Sequence, residues 1–341
     1  MLIPLSKRLK QVKLVTVRSS LLKLNVWYVF VLAKKTKTPY KKTITLKGAF
    51  IAPFSFLVGC CMFKKTIIVI TLLITLAVVS FHIIFVIPNK PNLITSSQNT
   101  SNDIYSCYQN SAPKAIDVSD GLDITVWNIY KQNRNNWQSE LNQLSAGSDL
   151  VLLQEASMTE GLRQWVTSGQ WGSTRVNAFE AFEQSAGVLN LATHLPIEAC
   201  AYTHEEPWLQ LPKSALWSRY LLSNGEELAV INIHAVNFTF GTEDYEAQLK
   251  SLTDNLQKYR GPVIFAGDFN SWSEARFAVL KDALEQVGLT EVAFEPDNRT
   301  QFMTGLVLDY VFYRGLEVDK AKAPITDASD HNPMRVTFKA K

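Results

Sequence analysis

The first hundred residues contain no aspartate and no glutamate. Of the 34 lysines and arginines, 15 fall in that stretch and 19 beyond it, while all 31 acidic residues lie beyond, so residues 101–341 carry −12. The net charge of +3 therefore conceals a basic, apolar N-terminal third and an acidic remainder. An acidic domain argues against tight non-specific DNA binding, which depends on Lys and Arg neutralising phosphates. A basic arm fits nucleic acid or anionic lipid, and the apolar segment beside it favours lipid. Cysteine is also scarce. There are four, with no Cys-x-x-Cys, so nothing resembles a structural zinc site. No internal repeat or long low-complexity tract occurs.

Residues 1–63 alternate basic clusters with apolar runs too short to span a bilayer, and no periodicity assigns them a fold. Thr66 to Ile87 differs: it has no charge over 22 residues and ends before Pro88. As a helix it is ~33 Å long at ~1.5 Å per residue, matching a hydrocarbon core of ~30 Å. It is apolar on every face, unlike the amphipathic helices of soluble proteins. The expectation is one transmembrane helix within an anchor, 64–88. A signal peptide is the rival, because Met62-Phe63-Lys64-Lys65 before an apolar run has that form. A second reading of the N-terminus, compatible with a signal or an anchor, starts translation at Met62 and makes residues 1–61 an artefact. Val78-Val79-Ser80 is a poor cleavage site, which favours the uncleaved anchor. Basic residues crowd the near side of the span, so the positive-inside rule sends the remainder out of the cytoplasm; a cytoplasmic domain is the alternative. Residues 89–120, rich in Ser, Asn and Thr, read as a polar tether. The folded domain is expected over 121–341.

From Gly121 strands and helices alternate, an α/β pattern. The most informative stretch is Val263-Ile264-Phe265-Ala266-Gly267-Asp268-Phe269-Asn270. It reads as a buried strand ending at a glycine, followed by a carboxylate and an amide two apart, which extended backbone places on one face. Alone, Gly-Asp-x-Asn is an Asx-stabilised turn. Its weight comes from partners in similar places: Asn128, Glu155, His234 with Asn237, Asp309, and Asp330 with His331, each at or near a strand end. Strand ends in α/β folds gather at one mouth. Convergence would make an anionic, oxygen-rich pocket with two histidines and no cysteine. Such a pocket suits Mg²⁺ or Mn²⁺ better than zinc, and the chemistry that fits is metal-assisted attack of water on phosphorus. Beyond this strand, Ser271 and Glu274 fit a capping box for the next helix.

These motifs, in this order, resemble the endonuclease/exonuclease/phosphatase superfamily, and the strings Val126–Lys131, Asn232–Phe238 and Ser329–Pro333 are most similar to its bacterial YafD-like branch. The resemblance covers 121–341 and implies a DNase I-like four-layer αββα sandwich with the site at one edge of its sheets. It implies that Glu155, Asn128 and Asp330 serve the metal. Asp268 would position or activate water, Asn270 would donate to a phosphate oxygen, and His331 would sit at the scissile phosphate, oriented by Asp309. His234 fits the second histidine of the DNase and sphingomyelinase branches. The general base stays open between His331 and Asp268. The implied activity is phosphodiester hydrolysis by a nuclease or phosphodiesterase. The alternatives are a phosphomonoesterase acting on a lipid headgroup or sugar phosphate, and a non-catalytic binding module. Asn237, Lys131 and Arg134 are candidate substrate contacts, with Lys213, Arg219 and Arg276 further candidates for a basic rim. No protein partner is evident. Outside the cytoplasm, Cys107 and Cys200 could bridge and pin the tether to the domain; two unpaired thiols are the alternative.

Overall fold

A computed structural model describes residues 54–96, 103–182 and 184–339. The chain divides between Ile68 and Val69 into two units. Of the basic segment 1–63, residues 1–53 lie outside the described residues. Helix α1 (Phe54–Ile84) contains the apolar run. Its stretch Lys64–Ile84, 21 residues of mean hydropathy 2.8 with none buried, is long and apolar enough to cross a membrane. The helix stops short of Ile87 because Phe85–Val86 form strand β1, paired with Ala181 and Glu180.

The segment expected as a tether is instead largely folded. It supplies β2 (Asn92–Ser96), β3 (Asp103–Tyr105) and β4 (Cys107–Gln109). Leu93 is fully buried, and Ile116 and Val118 join the core. Three apolar residues inside a polar stretch suffice once a sheet edge is available to pair with. Cys107 and Cys200 stand opposite each other in neighbouring strands and are disulfide-bonded.

The chain continues through β5 (Leu122–Asn128), α2 (Trp137–Ser145), β6 (Leu150–Ser157), α3 (Glu160–Ser168), β7 (Gly172–Ala181) and β8 (Gln184–Ala192). Next come β9 (Glu198–Glu205), β10 (Pro212–Leu221), β11 (Glu227–His234), α4 (Glu243–Leu256) and β12 (Val263–Asp268). Last are α5 (Glu274–Glu285), β13 (Thr290–Glu291), β14 (Asp309–Arg314), β15 (Val318–Lys322) and β16 (Met334–Phe338). One sheet is ordered β15-β16-β5-β6-β8-β7-β2-β3, with β1 also on β7; the other is β13-β14-β12-β11-β10-β9-β4.

Period-two alternation in the central strands makes the layers. Ile124, Val126, Leu150 and Leu152 face Val230, Ile264, Ala266 and Val311 in the core between the sheets. Their neighbours Trp127, Val151 and Leu153 point outward and bury Leu141, Leu144, Leu162 and Trp165 of α2 and α3. On the far side, Ile231, Ile233 and Phe265 do the same with Tyr245, Leu249, Leu252 and Leu280 of α4 and α5. The result is the helix–sheet–sheet–helix order expected from the sequence. The cap of α5 differs in detail. Ser273, not Ser271, accepts from the Arg276 N–H, while the Ser271 hydroxyl donates to the Val307 carbonyl.

Pairing direction then places the site. β5 and β6 are parallel, with Asn128 beside Gln154. β11 and β12 are parallel, with His234 beside Asp268. β14 and β16 run antiparallel to their neighbours, so Asp309 and the turn carrying Asp330 and His331 come to the same end.

Candidate active site

Across the β12–β14 ladder Asp268 pairs with Asp309, and both are almost fully buried. His331 Nδ1 lies 2.7 Å from Asp309 Oδ2, and its Nε2 is 4.0 Å from Asp268 Oδ2. Burial lowers the pKa of His331, but the charge and hydrogen bond of Asp309, joined by the charges of Asp268 and Asp330, together outweigh it and carry the ring up to about 10. His331 is therefore an imidazolium at neutral pH, donating to Asp309. Burial pushes Asp268 up to about 6, against the pull of the His331 charge and reinforced by Asp309. Asn128 Nδ2 donates to Asp268 Oδ2 at 3.0 Å, and the Asn270 N–H donates to Asp268 Oδ1 at 2.9 Å. Asn270 adopts left-handed backbone (φ 48°) and spends one amide hydrogen on the Ala235 carbonyl, leaving one for a ligand.

Glu155 reaches the site through a defect in its strand. β6 slips register against β8 between Leu153 and Ala156, and Glu155 takes φ 51°. Such bulges re-aim side chains. Here Gln154 turns into the core between the sheets while the Glu155 carboxylate faces the mouth and pairs with the Lys131 ammonium. Lys131 is the middle of three consecutive residues, Tyr130 to Gln132, with φ between 48° and 56°. Left-handed backbone costs about 1–2 kcal/mol per non-glycine residue, and such strain collects at functional positions.

His234 lies between the groups. Its Nε2 is 3.7 Å from Glu155 and 3.6 Å from Asp268, which favours a charged ring, but also 3.0 Å from Lys213 Nζ. Burial and the cations Lys213, Lys131 and His331 prevail and hold its pKa well below the ordinary value. Lys213 then donates to a neutral imidazole.

The remaining expected residues divide. Asn237 lines the adjoining cleft of about 590 Å³ and accepts from Trp272 Nε1 at 2.8 Å. Arg134 is exposed, 6.0 Å over the Tyr130 ring. Asp330 is exposed, with Oδ1 3.3 Å from the Ser329 hydroxyl oxygen, outside the buried group of Asp268, Asp309 and His331. Arg276 is no rim residue. It is 1 % exposed, with Nε on the Asn270 carbonyl at 2.8 Å and its guanidinium 4.0 Å over Tyr245. Arg219 is held by Glu198 and Glu227. Sequence reasoning missed Glu206 and Ser329. Buried Glu206 accepts from the Asn237 N–H at 2.6 Å and faces Lys213. The Ser329 hydroxyl donates to the Asn128 carbonyl at 2.7 Å and accepts from the His331 N–H. Ser329 stands directly before Asp330-His331, and that adjacency was its only sequence signal.

Two packed sheets with acids, amides and histidines gathered at one strand end define a DNase I-like α/β sandwich. The sequence profile of the Endonuclease/Exonuclease/phosphatase family matches residues 125–331, and the chain belongs to that family of phosphoester hydrolases. It is 55 % identical over 277 residues to UPF0294 protein VP2298 of Vibrio parahaemolyticus, covering 81 % of this chain and 99 % of that one. It is 45 % identical over 217 residues to UPF0294 protein plu0699 of Photorhabdus laumondii, covering 64 % and 83 %. Among solved structures, the endonuclease/exonuclease/phosphatase from Beutenbergia cavernae superposes with a TM-score of 0.51 at 16 % identity, covering 64 % of this chain and 72 % of that one. The one from Bacteroides vulgatus gives 0.51 at 15 %, covering 64 % and 99 %. These two likenesses concern the fold.

The donor set suits a hard divalent cation. Asp268, Asp309 and His331 offer ligand atoms within 4.8 Å of one another and could hold an ion if His331 gave up its proton; with His331 charged, Glu155, Asn128 and Asp330 are the oxygen donors left beside them, and Asp309 Oδ1 is buried without a hydrogen-bond partner. A buried carboxylate oxygen left bare is costly, and oxygen donors without sulfur point to magnesium-like ions.

Proposed function

We propose that this chain is a membrane-anchored, Mg²⁺- or Mn²⁺-dependent phosphodiesterase. The observation that carries the reading is the charged His331–Asp309 pair beside Asp268 at the mouth where Glu155, Asn128 and His234 also converge. Glu155, Asn128 and Asp330 would hold the cation. When bound, it would supply a Lewis acid and neutralise phosphate charge. Asp268, a carboxylate above about pH 6, accepts the proton of the attacking water. His331, still protonated, gives a proton to the leaving oxygen and is held in its tautomer by Asp309. The free Asn270 amide hydrogen faces a non-bridging oxygen.

Helix α1 is the proposed anchor, its apolar length matching a bilayer. The basic residues before it favour a domain outside the cytoplasm, and the Cys107–Cys200 bond supports that placement, since disulfides persist in oxidising compartments. The test is hydrolysis by the full chain in detergent, with and without Mg²⁺, on a panel of phosphodiesters, phosphomonoesters, DNA and RNA. Metal-dependent turnover of a diester that outpaces the matching monoester is the expected result. Absence of any metal-dependent turnover overturns it.

A further inference from the structure

The cleft beside the site has an aromatic wall that the chemistry above does not use. Phe85, Phe182, Leu209 and Phe238 line it together with Glu155, His234 and Lys213. Trp208, next to Leu209, and Phe240, two residues beyond Phe238, bring their rings together at a tilt of 38° with centroids 4.7 Å apart. Apart from Phe85 of β1, three loops supply these groups: the turn between β7 and β8, the turn between β9 and β10, and the segment after β11. Phe182 is 77 % exposed, Phe240 68 % and Trp208 59 %. Large apolar side chains left in water on converging loops mark an interaction surface.

Three observations identify the occupant. Phe85 is the first residue after α1, and its ring meets that of Phe179, another lining residue, at 5.9 Å. The cleft wall therefore begins one residue beyond the helix proposed to cross the bilayer, which places the mouth in the interfacial zone where Trp and Phe side chains settle. The cleft is also poor in free positive charge. Lys131 pairs with Glu155, and Lys213 lies between His234 and Glu206. A single-stranded nucleic acid requires a cationic track beside its stacking surfaces, and neither lysine is free to provide one. Finally, the apolar wall and the polar groups Glu155, His234 and Lys213 line one and the same cleft, as an amphiphile requires.

We infer that the substrate is a phosphodiester lipid of the membrane that holds α1, with its acyl portion on the aromatic wall and its phosphate between Glu155, His234 and Asp268. This rests on the phosphodiesterase reading above. In the reaction, water's oxygen bonds to phosphorus and one P–O ester bond breaks. One water proton goes to Asp268 and the leaving oxygen takes the proton of His331. Nothing is oxidised or reduced.

The experiment uses the full chain reconstituted in vesicles of phosphatidylethanolamine and phosphatidylglycerol with Mg²⁺, the soluble diester bis(p-nitrophenyl) phosphate, and a single-stranded DNA oligonucleotide. Hydrolysis of vesicle lipid is expected, with the ratio of vesicle to soluble-diester rates falling at least tenfold in Phe182→Ser/Trp208→Ser. Independently of turnover, lipids brominated on the acyl chains should quench Trp208 in EDTA, read as the difference between wild type and Trp208→Phe. Three results overturn the inference while leaving the phosphodiesterase standing: cleavage of the soluble diester with vesicle lipid untouched, an unchanged ratio in the double variant, or DNA cleavage that alone depends on Phe182 and Trp208. Failure to cleave any diester removes the underlying reading and the inference with it.

Discussion

Asp268 and Asp309 face each other across the β12–β14 ladder, two buried carboxylates of which one holds His331 and the other lies within 4.0 Å of it. Neither would stay buried and charged alone. The imidazolium between them makes the arrangement stable, and on the proposed reading it sets the roles: one acid drives the histidine up, the other serves as the base. The pKa values are thereby pushed apart in the sense that acid–base catalysis at neutral pH requires.

Activity is accordingly expected to rise as pH passes about 6, where Asp268 ionises, and to fall as it passes about 10, where His331 loses its proton. Asp309→Asn removes the charge that raises His331, so the alkaline limb should move down towards the ordinary histidine range while the rate falls by about 10² or more. An unchanged alkaline limb in a pH–rate profile would remove His331 as the acid. Stability in EDTA carries the same signature with a defined sign. The folded pKa of Asp268 lies above 3.8 and that of His331 above 6.5, so the native state holds both protons more tightly. Stability should fall as pH rises from 3.8 through 6, and again from 6.5 through 10. Denaturant titrations across that range check it.

Glu155→Gln keeps the side chain's size and removes its charge. If Glu155 helps to hold the cation, the variant should need far more Mg²⁺ for half-maximal rate and turn over at least about 10² more slowly. Isothermal titration of Mg²⁺ into wild type and variant separates binding from chemistry. Full activity with unchanged Mg²⁺ dependence would take Glu155 out of the metal site.

Behind the mouth, a polar chain joins the sheets. Gln154 Nε2 donates to Asn232 Oδ1 at 2.7 Å, Asn232 Nδ2 donates to Asn190 Oδ1 at 2.8 Å, and Asn190 Nδ2 donates to Ser218 at 3.1 Å. Asn190, Asn232 and Gln154 are fully buried. Asn232→Leu leaves its neighbours unpaired, at about 1–3 kcal/mol for each stranded group. A loss of about 2–5 kcal/mol is expected in chemical denaturation, with activity lowered because His234 lies two residues along the same strand. A loss under about 1 kcal/mol would mean that the network contributes little.

The candidate residues that gather at the mouth stand out in the sequence because they follow apolar strands: Asn128 after Val126-Trp127, Glu155 after Val151-Leu152-Leu153, Asp268 after Val263–Gly267. The central strands of both sheets were legible for the same reason. Their partners β7, β9 and β10 mix charge and apolar groups in runs such as Thr174-Arg175-Val176-Asn177, and carry no clear period. β2 was hidden in polar sequence, since its three buried residues gain stability only from pairing with β7 across some 80 residues. Pairings of that kind are tertiary. So are the Glu155 bulge, which needs β8 as its reference, and the burial of Arg276, whose role is to gather backbone carbonyls around Asn270.

The Cys107–Cys200 bond joins β4 to β9 and closes a separation of 93 residues. In the chain-entropy picture a loop of that length is worth up to ~4–5 kcal/mol. β4 is a short edge strand of three residues, so the bond does much of the work of keeping it on the sheet. Cys107→Ser should lower stability by about 2–4 kcal/mol, with little change in the rate of soluble-diester hydrolysis under conditions where both proteins are folded. The same bond reports on topology. In protein taken from its native compartment and alkylated before reduction, intact mass should show Cys107 and Cys200 unlabelled, with labelling appearing only after reductant. A reporter active only outside the cytoplasm should be active when fused after the C-terminus. Two freely alkylated thiols together with a reporter active only in the cytoplasm would reverse the proposed orientation and place the active site on the inner face of the membrane.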